Sequence, residues 1–301
     1  MNWQIYKLLY RIESPIHIGF HKLGYVARTR YYIPGRTMWG AGAEALAQKI
    51  GTIRNRKIDD SLYRTAQDFF KKQAIFAYFY LQEKEKIFLP RYTEEGIRFG
   101  DIPIEEFELK YITSFGKTAI EPKSLTAEEG SLYEIEFIKP LPDLYLTGYL
   151  FLKENAQFEN ENVSWEEGEI SLKEIISSLS IGGERRYGFG RIRLVKSEKI
   201  ENSKINLFGI RVELEPNQEI IKFTFPENNP LFAHLAIEGT EEIKIKGDIE
   251  PLVGREFAFE KNGKIGFGQY ISQAQICWVP GSILAQATSL KLGNFGILYR
   301  C

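Results

Sequence analysis

Residues 181–194 read IGGERRYGFGRIRL and bring four glycines, four arginines, a tyrosine and a phenylalanine into one short segment. Arginine forks pair with phosphate oxygens, glycines let a backbone approach a phosphodiester closely, and Tyr187 or Phe189 could stack on unpaired bases. In that use Gly182, Gly183, Gly188 and Gly190 shape the path while Arg185, Arg186 and Arg191 meet phosphates. Arg193 extends the same cluster, and Glu184 is the one acid within it. Two other uses compete. The segment could cradle a nucleotide cofactor, or it could be a plain turn in which Gly182 follows a helix in the left-handed conformation and the arginines face solvent.

The flanking elements decide against the cofactor. A dinucleotide or Walker loop follows a strand and opens a helix, so that helix amides face the phosphate. Here a helix is expected over 171–180, with Leu172, Ile175, Ile176 and Leu179 at helical spacing and Ser171 and Glu174 in the capping-box relation, and a strand is expected over 190–198. The order is the reverse of the required one, and neither a GK[ST] ending nor a third spaced glycine is present. Contact with RNA or single-stranded DNA and a structural turn stay open.

Composition limits the partners further. The 301 residues carry 39 basic and 40 acidic side chains, so any anion site is local rather than global. Charge is sorted along the chain: Lys7, Arg11, Lys22, Arg28, Arg30 and Arg36 face only Glu13 in the first forty residues, whereas 159–174 hold six glutamates and one lysine. Cys277 and Cys301 have no metal-ligand spacing, and neither a metal nor a small-molecule cofactor is expected. That cysteine usage predicts a reducing cytoplasm. The N-terminus lacks the apolar core of a signal peptide and no stretch reaches the roughly 18 apolar residues of a membrane span, so no membrane partner is expected.

The elements that must position these residues alternate. Residues 3–13 read as a strand, 37–50 as a helix capped by Thr37, and 60–80 as a second helix whose later part also fits a strand. SLYEIEFI (131–138) and LYLTGYLFL (144–152) read as a hairpin. With an insertion at about 51–130 set aside, the order is βαββαβ, an α+β ferredoxin-like domain over 1–197. Polar residues 198–204 mark a boundary to a second, β-rich domain over 205–301, with strands near 206–214, 219–225, 243–249, 254–260, 267–279 and 283–289 and a short helix near 229–237. IGFGQY (265–270) and WVPGSIL (278–284) echo RYGFGR and YIPGRTM, which raises a duplicated domain.

Four segments in this order resemble the RAMP superfamily of CRISPR-associated proteins: SPIHIG (14–19), YIPGRTMWGA (32–41), LTAEEGSLYEIEFI (125–138) and IGGERRYGFGRIRL. The resemblance spans residues 14–194 and implies ferredoxin-like domains with a glycine-rich loop between the last helix and last strand. It implies a subunit of a type III-like effector ribonucleoprotein, with guide RNA and other effector subunits as partners. RNA contacts are expected at the loop and at the basic segment Lys22, Arg28, Arg30 and Arg36.

Some members of that family cut precursor guide RNA without metal, which requires a base, an acid and a cation for the phosphorane. His21, beside Lys22, is the residue for that alternative; His17, between Ile16 and Ile18, and His234, in PLFAHLAIE, read as structural. Other members slice target RNA with an aspartate before the IPG motif, but residues 20–32 contain no Asp or Glu. Arg36-Thr37-Met38-Trp39 also departs from the family's serine and lysine pattern. The expectation is therefore a non-catalytic RNA-binding subunit, against two rivals: a metal-independent endoribonuclease and a structural assembly subunit that binds mainly protein.

Overall fold

A computed structural model describes residues 3–120, 123, 126, 130–201, 204–214, 220–261 and 264–301. The centre of the main sheet is built from runs that bury both of their faces. β1 (Trp3–Ile12) is followed by a hairpin of β2 (Gly19–Leu23) and β3 (Val26–Thr29), then by the short β4 (Tyr32–Ile33). Helices α1 (Gly35–Ile53) and α2 (Asp60–Lys72) lead into β5 (Ala74–Glu83). After a meander of short strands come α3 (Ile104–Tyr111), β6 (Ile112–Lys117), β7 (Tyr133–Ile138) and β8 (Leu144–Lys153). One helical turn, α4 (Leu172–Ile175), precedes β9 (Ser178–Ser180) and β10 (Arg191–Ile200).

The main sheet has the order β9-β10-β1-β8-β5-β4, with every neighbouring pair antiparallel. β5, AIFAYFYLQE, is buried along its first eight residues, as a strand covered on both faces must be. One face, with Phe76, Phe79 and Leu81, packs under α1 and α2. The other, with Ile75, Ala77, Tyr78 and Tyr80, packs on the C-terminal half. A bulge sets Ala77 and Tyr78 together opposite Tyr149, between the pairs Phe76↔Leu150 and Phe79↔Gly148. It shifts the alternation so that both side chains enter the second layer.

That second layer is an eight-stranded sheet in the order 204–207, 210–214, 221–225, 288–292, 298–300, 235–236, 275–278, 249–252. Tyrosines of the main sheet reach into it with their polar ends satisfied: Tyr80 Oη donates to the Phe232 carbonyl at 2.6 Å and Tyr149 Oη to the Asn206 carbonyl at 3.0 Å. The result is helices, sheet and sheet in three layers, an α+β, sheet-rich fold.

Several sequence expectations are corrected. β7 does not form a hairpin with β8; it pairs with β6 and, in parallel, with β3, giving a small sheet β6-β7-β3-β2. The alternating YEIEFI suits a half-exposed sheet, whereas β8 needs neighbours that are apolar on both faces, β1 and β5. The expected helix 60–80 ends at Lys72, and the segment read as an insertion supplies β5 to the main sheet. Of the helix expected over 171–180 only one turn forms, with Ser171 Oγ accepting from Glu174 N at 3.4 Å; Leu179 then pairs with Ile192 as a strand. α1 begins at Gly35 behind Pro34, without a side-chain cap from Thr37. Residues 206–214 are a hairpin about Phe208 and Gly209, and 229–237 hold two short extended pairs rather than a helix. Of LTAEEG, residues 125 and 127–129 lie outside the described residues, as do the side chains of 265–269 in IGFGQY.

Candidate nucleic-acid interface

The glycine-rich loop is held by its own backbone. Gly182, Gly188 and Gly190 have φ of 75°, 85° and 82°. A Cβ at Gly182 would collide with the His17 carbonyl, and one at Gly190 with the Ile181 carbonyl, so these two positions demand glycine for space as well as conformation. Gly183 N donates to the His17 carbonyl at 2.8 Å, Gly190 N to the Pro15 carbonyl at 2.8 Å, and Arg191 N to Ser14 Oγ at 2.8 Å. The SPIH segment is thus the bed of the loop. Arg185–Tyr187 form a single 3-10 turn at its tip.

The side chains divide into two groups. Phe189 is buried, edge-on to Phe115 at 5.7 Å and Phe137 at 5.4 Å, and anchors the loop on the small sheet. It is therefore not placed to stack on a base. Tyr187 is 68% exposed at the tip, with Lys117 Nζ 3.6 Å from its ring centroid on one side. Lys117 also pairs with Glu184 at 2.6 Å. Arg185 pairs with Glu44 of α1 at 2.7 Å, and that hydrogen bond holds its pKa up. Arg186 and Arg191 are exposed.

The basic N-terminal segment is split as well. Lys22 is exposed on the β2–β3 hairpin between Phe20, 46% exposed, and Tyr25, 58% exposed. His17 joins hairpin and loop: its ring packs against both Gly19 and Gly183 and its Nδ1 lies 2.7 Å from the Glu136 carbonyl, to which it donates. Arg28 and Arg30, by contrast, turn inward. Arg28 bridges Glu108 at 3.1 Å and Glu136 at 3.2 Å, and Arg30 pairs with Glu250 at 2.6 Å while its side chain is only 10% exposed. Burial opposes the Arg30 charge, but Tyr32 and Glu250 outweigh it and the pKa is raised. Arg36 lies over the Phe295 ring at 4.4 Å, against Gly254.

Arg28, Arg30 and His21 line a cavity of about 280 Å³ between the hairpin, α3 and the C-terminal half. Behind it runs a buried chain. Tyr78 Oη donates to His234 Nδ1 at 2.6 Å, and His234 Nε2 donates to Glu250, which also receives Arg30. Burial pushes the His234 pKa down, so this neutral tautomer satisfies both of its neighbours. Among the described residues no group of three or more His, Cys, Asp or Glu is placed to hold a metal ion, and no helix is long and apolar enough to cross a membrane.

Sequence reasoning missed Lys117, Glu44, Glu108, Glu136 and Glu250, the partners that decide which cations stay outward. No local signal could have found them, because the Arg30–Glu250 contact spans 220 positions and Arg185–Glu44 spans 141.

A glycine-shaped loop bedded on the segment after the first strand, carried by a sheet-rich α+β fold, defines the kind of protein. The chain belongs to the RAMP superfamily, which its sequence matches over residues 10–193. No curated protein matches in sequence. In fold it is similar to a chain of the Type III-B Cmr-beta complex bound to cognate target RNA and AMPPnP, with 10% identity, TM-score 0.53 and coverage of 92% of this chain and 85% of that one. A chain of the same complex bound to cognate target RNA gives 11% identity, TM-score 0.50 and coverage of 92% and 86%.

Proposed function

We propose that this RAMP superfamily chain is a non-catalytic RNA-binding subunit of a type III-like CRISPR effector ribonucleoprotein, working in the cytoplasm. It contacts guide RNA through the 182–191 loop and the β2–β3 hairpin, and other effector subunits elsewhere. The spatial order of β10, β1, β8 and β5 is fourth, first, third, second for a βαββαβ unit, which supports a ferredoxin-like reading of residues 1–197 ahead of a β-rich 205–301.

The observation that carries the proposal is the loop tip. Tyr187 and Arg186 are exposed on a backbone fixed by left-handed glycines and by bonds to residues 14–17, so the site needs little ordering on binding. Lys22 and Tyr25 on the hairpin extend this surface through the shared His17. In this reading the expected contacts at Phe189, Arg28 and Arg30 are reassigned. Arg28 and Arg30 hold the fold through carboxylates and do not serve phosphate, and Arg185 is partly committed to Glu44.

Arg186→Ala with Arg191→Ala, read by fluorescence anisotropy on single-stranded repeat-derived RNA, should weaken binding about tenfold. The slope of log K against log salt should become shallower by about 0.7 for each contact removed. An unchanged affinity and slope would make the loop structural and sink the proposal.

The endoribonuclease reading rests on His21 at the rim of the cavity. It is weakened by the carboxylates that already neutralise both arginines there, since a phosphorane would meet Glu108 and Glu250 as well as cations. Cleavage of repeat RNA in EDTA that disappears in His21→Ala would establish it instead.

A further inference from the structure

The cavity beside Arg28 and Arg30 has walls and polar groups of a particular kind. Tyr31, Tyr92 and Phe99 supply flat aromatic sides, Phe20 adds a ring with one face covered by the Arg30 guanidinium 4.4 Å from its centroid, and Val279-Pro280 closes it from the C-terminal half. Tyr92 is fixed there by donating to Asp248 Oδ2 at 2.8 Å. A volume of about 280 Å³ suits one planar heterocycle and is small for a nucleotide with its phosphates. The two guanidiniums are already held by Glu108, Glu136 and Glu250, so the polar lining offers carboxylate acceptors and little uncompensated positive charge. Glu108 is the accessible acceptor: its side chain is 37% exposed, and the bonds from Arg28 Nη2 and Tyr31 Oη both end on Oε1.

A carboxylate fixed by two donors at one oxygen, between aromatic walls, suits a base edge with adjacent N–H donors. Guanine presents such a pair in N1–H and its 2-amino group. Adenine and uracil do not, and a phosphate would be repelled. Unpaired bases are read in this way, by stacking and by hydrogen bonds to the pairing edge. We propose that this cavity holds a single unpaired guanine base, stacked on the face of Phe20 that Arg30 leaves free and recognised at its N1–H and amino edge by Glu108. The proposal rests on the RNA-binding reading for the origin of the base, but it concerns a separate site from the loop.

The test titrates guanosine, inosine, adenosine and uridine into the full chain by calorimetry. Nucleosides carry no phosphate, so loop variants should leave the result untouched. Guanosine should bind saturably, and inosine, which lacks the 2-amino group, about tenfold more weakly. Phe20→Ala, at an exposed position, should weaken guanosine about tenfold through lost stacking. Glu108→Gln should abolish the preference over inosine. Absence of saturable guanosine binding, equal binding of all four nucleosides, or indifference to both variants would overturn the proposal. Guanosine failure with intact, loop-dependent RNA binding overturns the cavity alone. Guanosine binding by a chain whose RNA affinity ignores Arg186 and Arg191 supports the cavity and overturns the loop.

Discussion

Two aromatic residues of one loop, two positions apart, have opposite roles because one points into the small sheet and the other away from it. Phe189 fills the space between Phe115 and Phe137, so Phe189→Ala should cost about 3 kcal/mol in urea unfolding, the usual penalty for emptying an aromatic site. Tyr187→Ala at the exposed tip should change stability by less than about 0.5 kcal/mol. Its effect should fall on RNA affinity, lowered about tenfold by the lost stacking platform. The reverse pattern, a stable Phe189→Ala chain and a destabilised Tyr187→Ala chain, would refute this division. In sequence the two residues look alike, YGFG, and only the direction of each side chain separates them. The glycines were legible, since residues with φ near +80° beside a passing carbonyl admit little else.

At the scale of elements, helices announce themselves best where local chemistry suffices. α2 is capped by Asp59, whose Oδ1 accepts from Leu62 N at 2.9 Å, and its Leu62, Phe69 and Phe70 face the core. Asp59→Ala should cost about 1 kcal/mol by denaturant unfolding, with Asp59→Ser recovering most of it. α1 has no such cap and depends on fit: at Gly35 a Cβ would collide with the carbonyls of Phe295 and Phe76. β1 and β8 were legible as strands but not as partners, and β5 was not legible even as a strand. AIFAYFYL reads equally as the end of a buried helix until β8 and β4 are placed beside it, and LYLTGYLF carries no mark saying that its neighbours are β1 and β5 rather than β7.

The whole molecule is joined across its layers by the Tyr78–His234–Glu250–Arg30 chain, which links β5, the segment before β4 and the C-terminal half. Burial holds the His234 imidazole below its usual 6.5. The unfolded chain therefore takes up a proton below about pH 6.5 that the native chain refuses. This contribution to stability is complete above pH 6.5 and declines as pH falls further, by at most about 1.4 kcal/mol per pH unit. Burial raises the Glu250 pKa, but the His234 hydrogen bond and the Arg30 charge outweigh it and hold the carboxyl below its usual 4.5. Its stabilisation is present above 4.5 and is lost only as pH falls through that lower native value. Between pH 6.5 and 4.5 the loss at this chain thus belongs to His234. Urea unfolding at pH 7.5 and 5.5 should show a lower midpoint at the lower pH, and His234→Gln should reduce the difference. An identical pH dependence in the variant would exclude His234 as its source.

The sequence by itself determined β1, α1 and the start of α2, the glycine-shaped turn, the sorting of charge and the motifs that mark the family, because these follow from residues adjacent or one turn apart. Only the tertiary structure decided which strands lie side by side, that the C-terminal sheet covers the second face of the main sheet, and which arginines remain outward. Those outcomes depend on which carboxylate or apolar face arrives from a hundred or more residues away. Arg30 and Arg186 are the same residue type in similarly basic, aromatic surroundings. Glu250 arrives beside the first, and the second is left at the tip of the loop facing solvent.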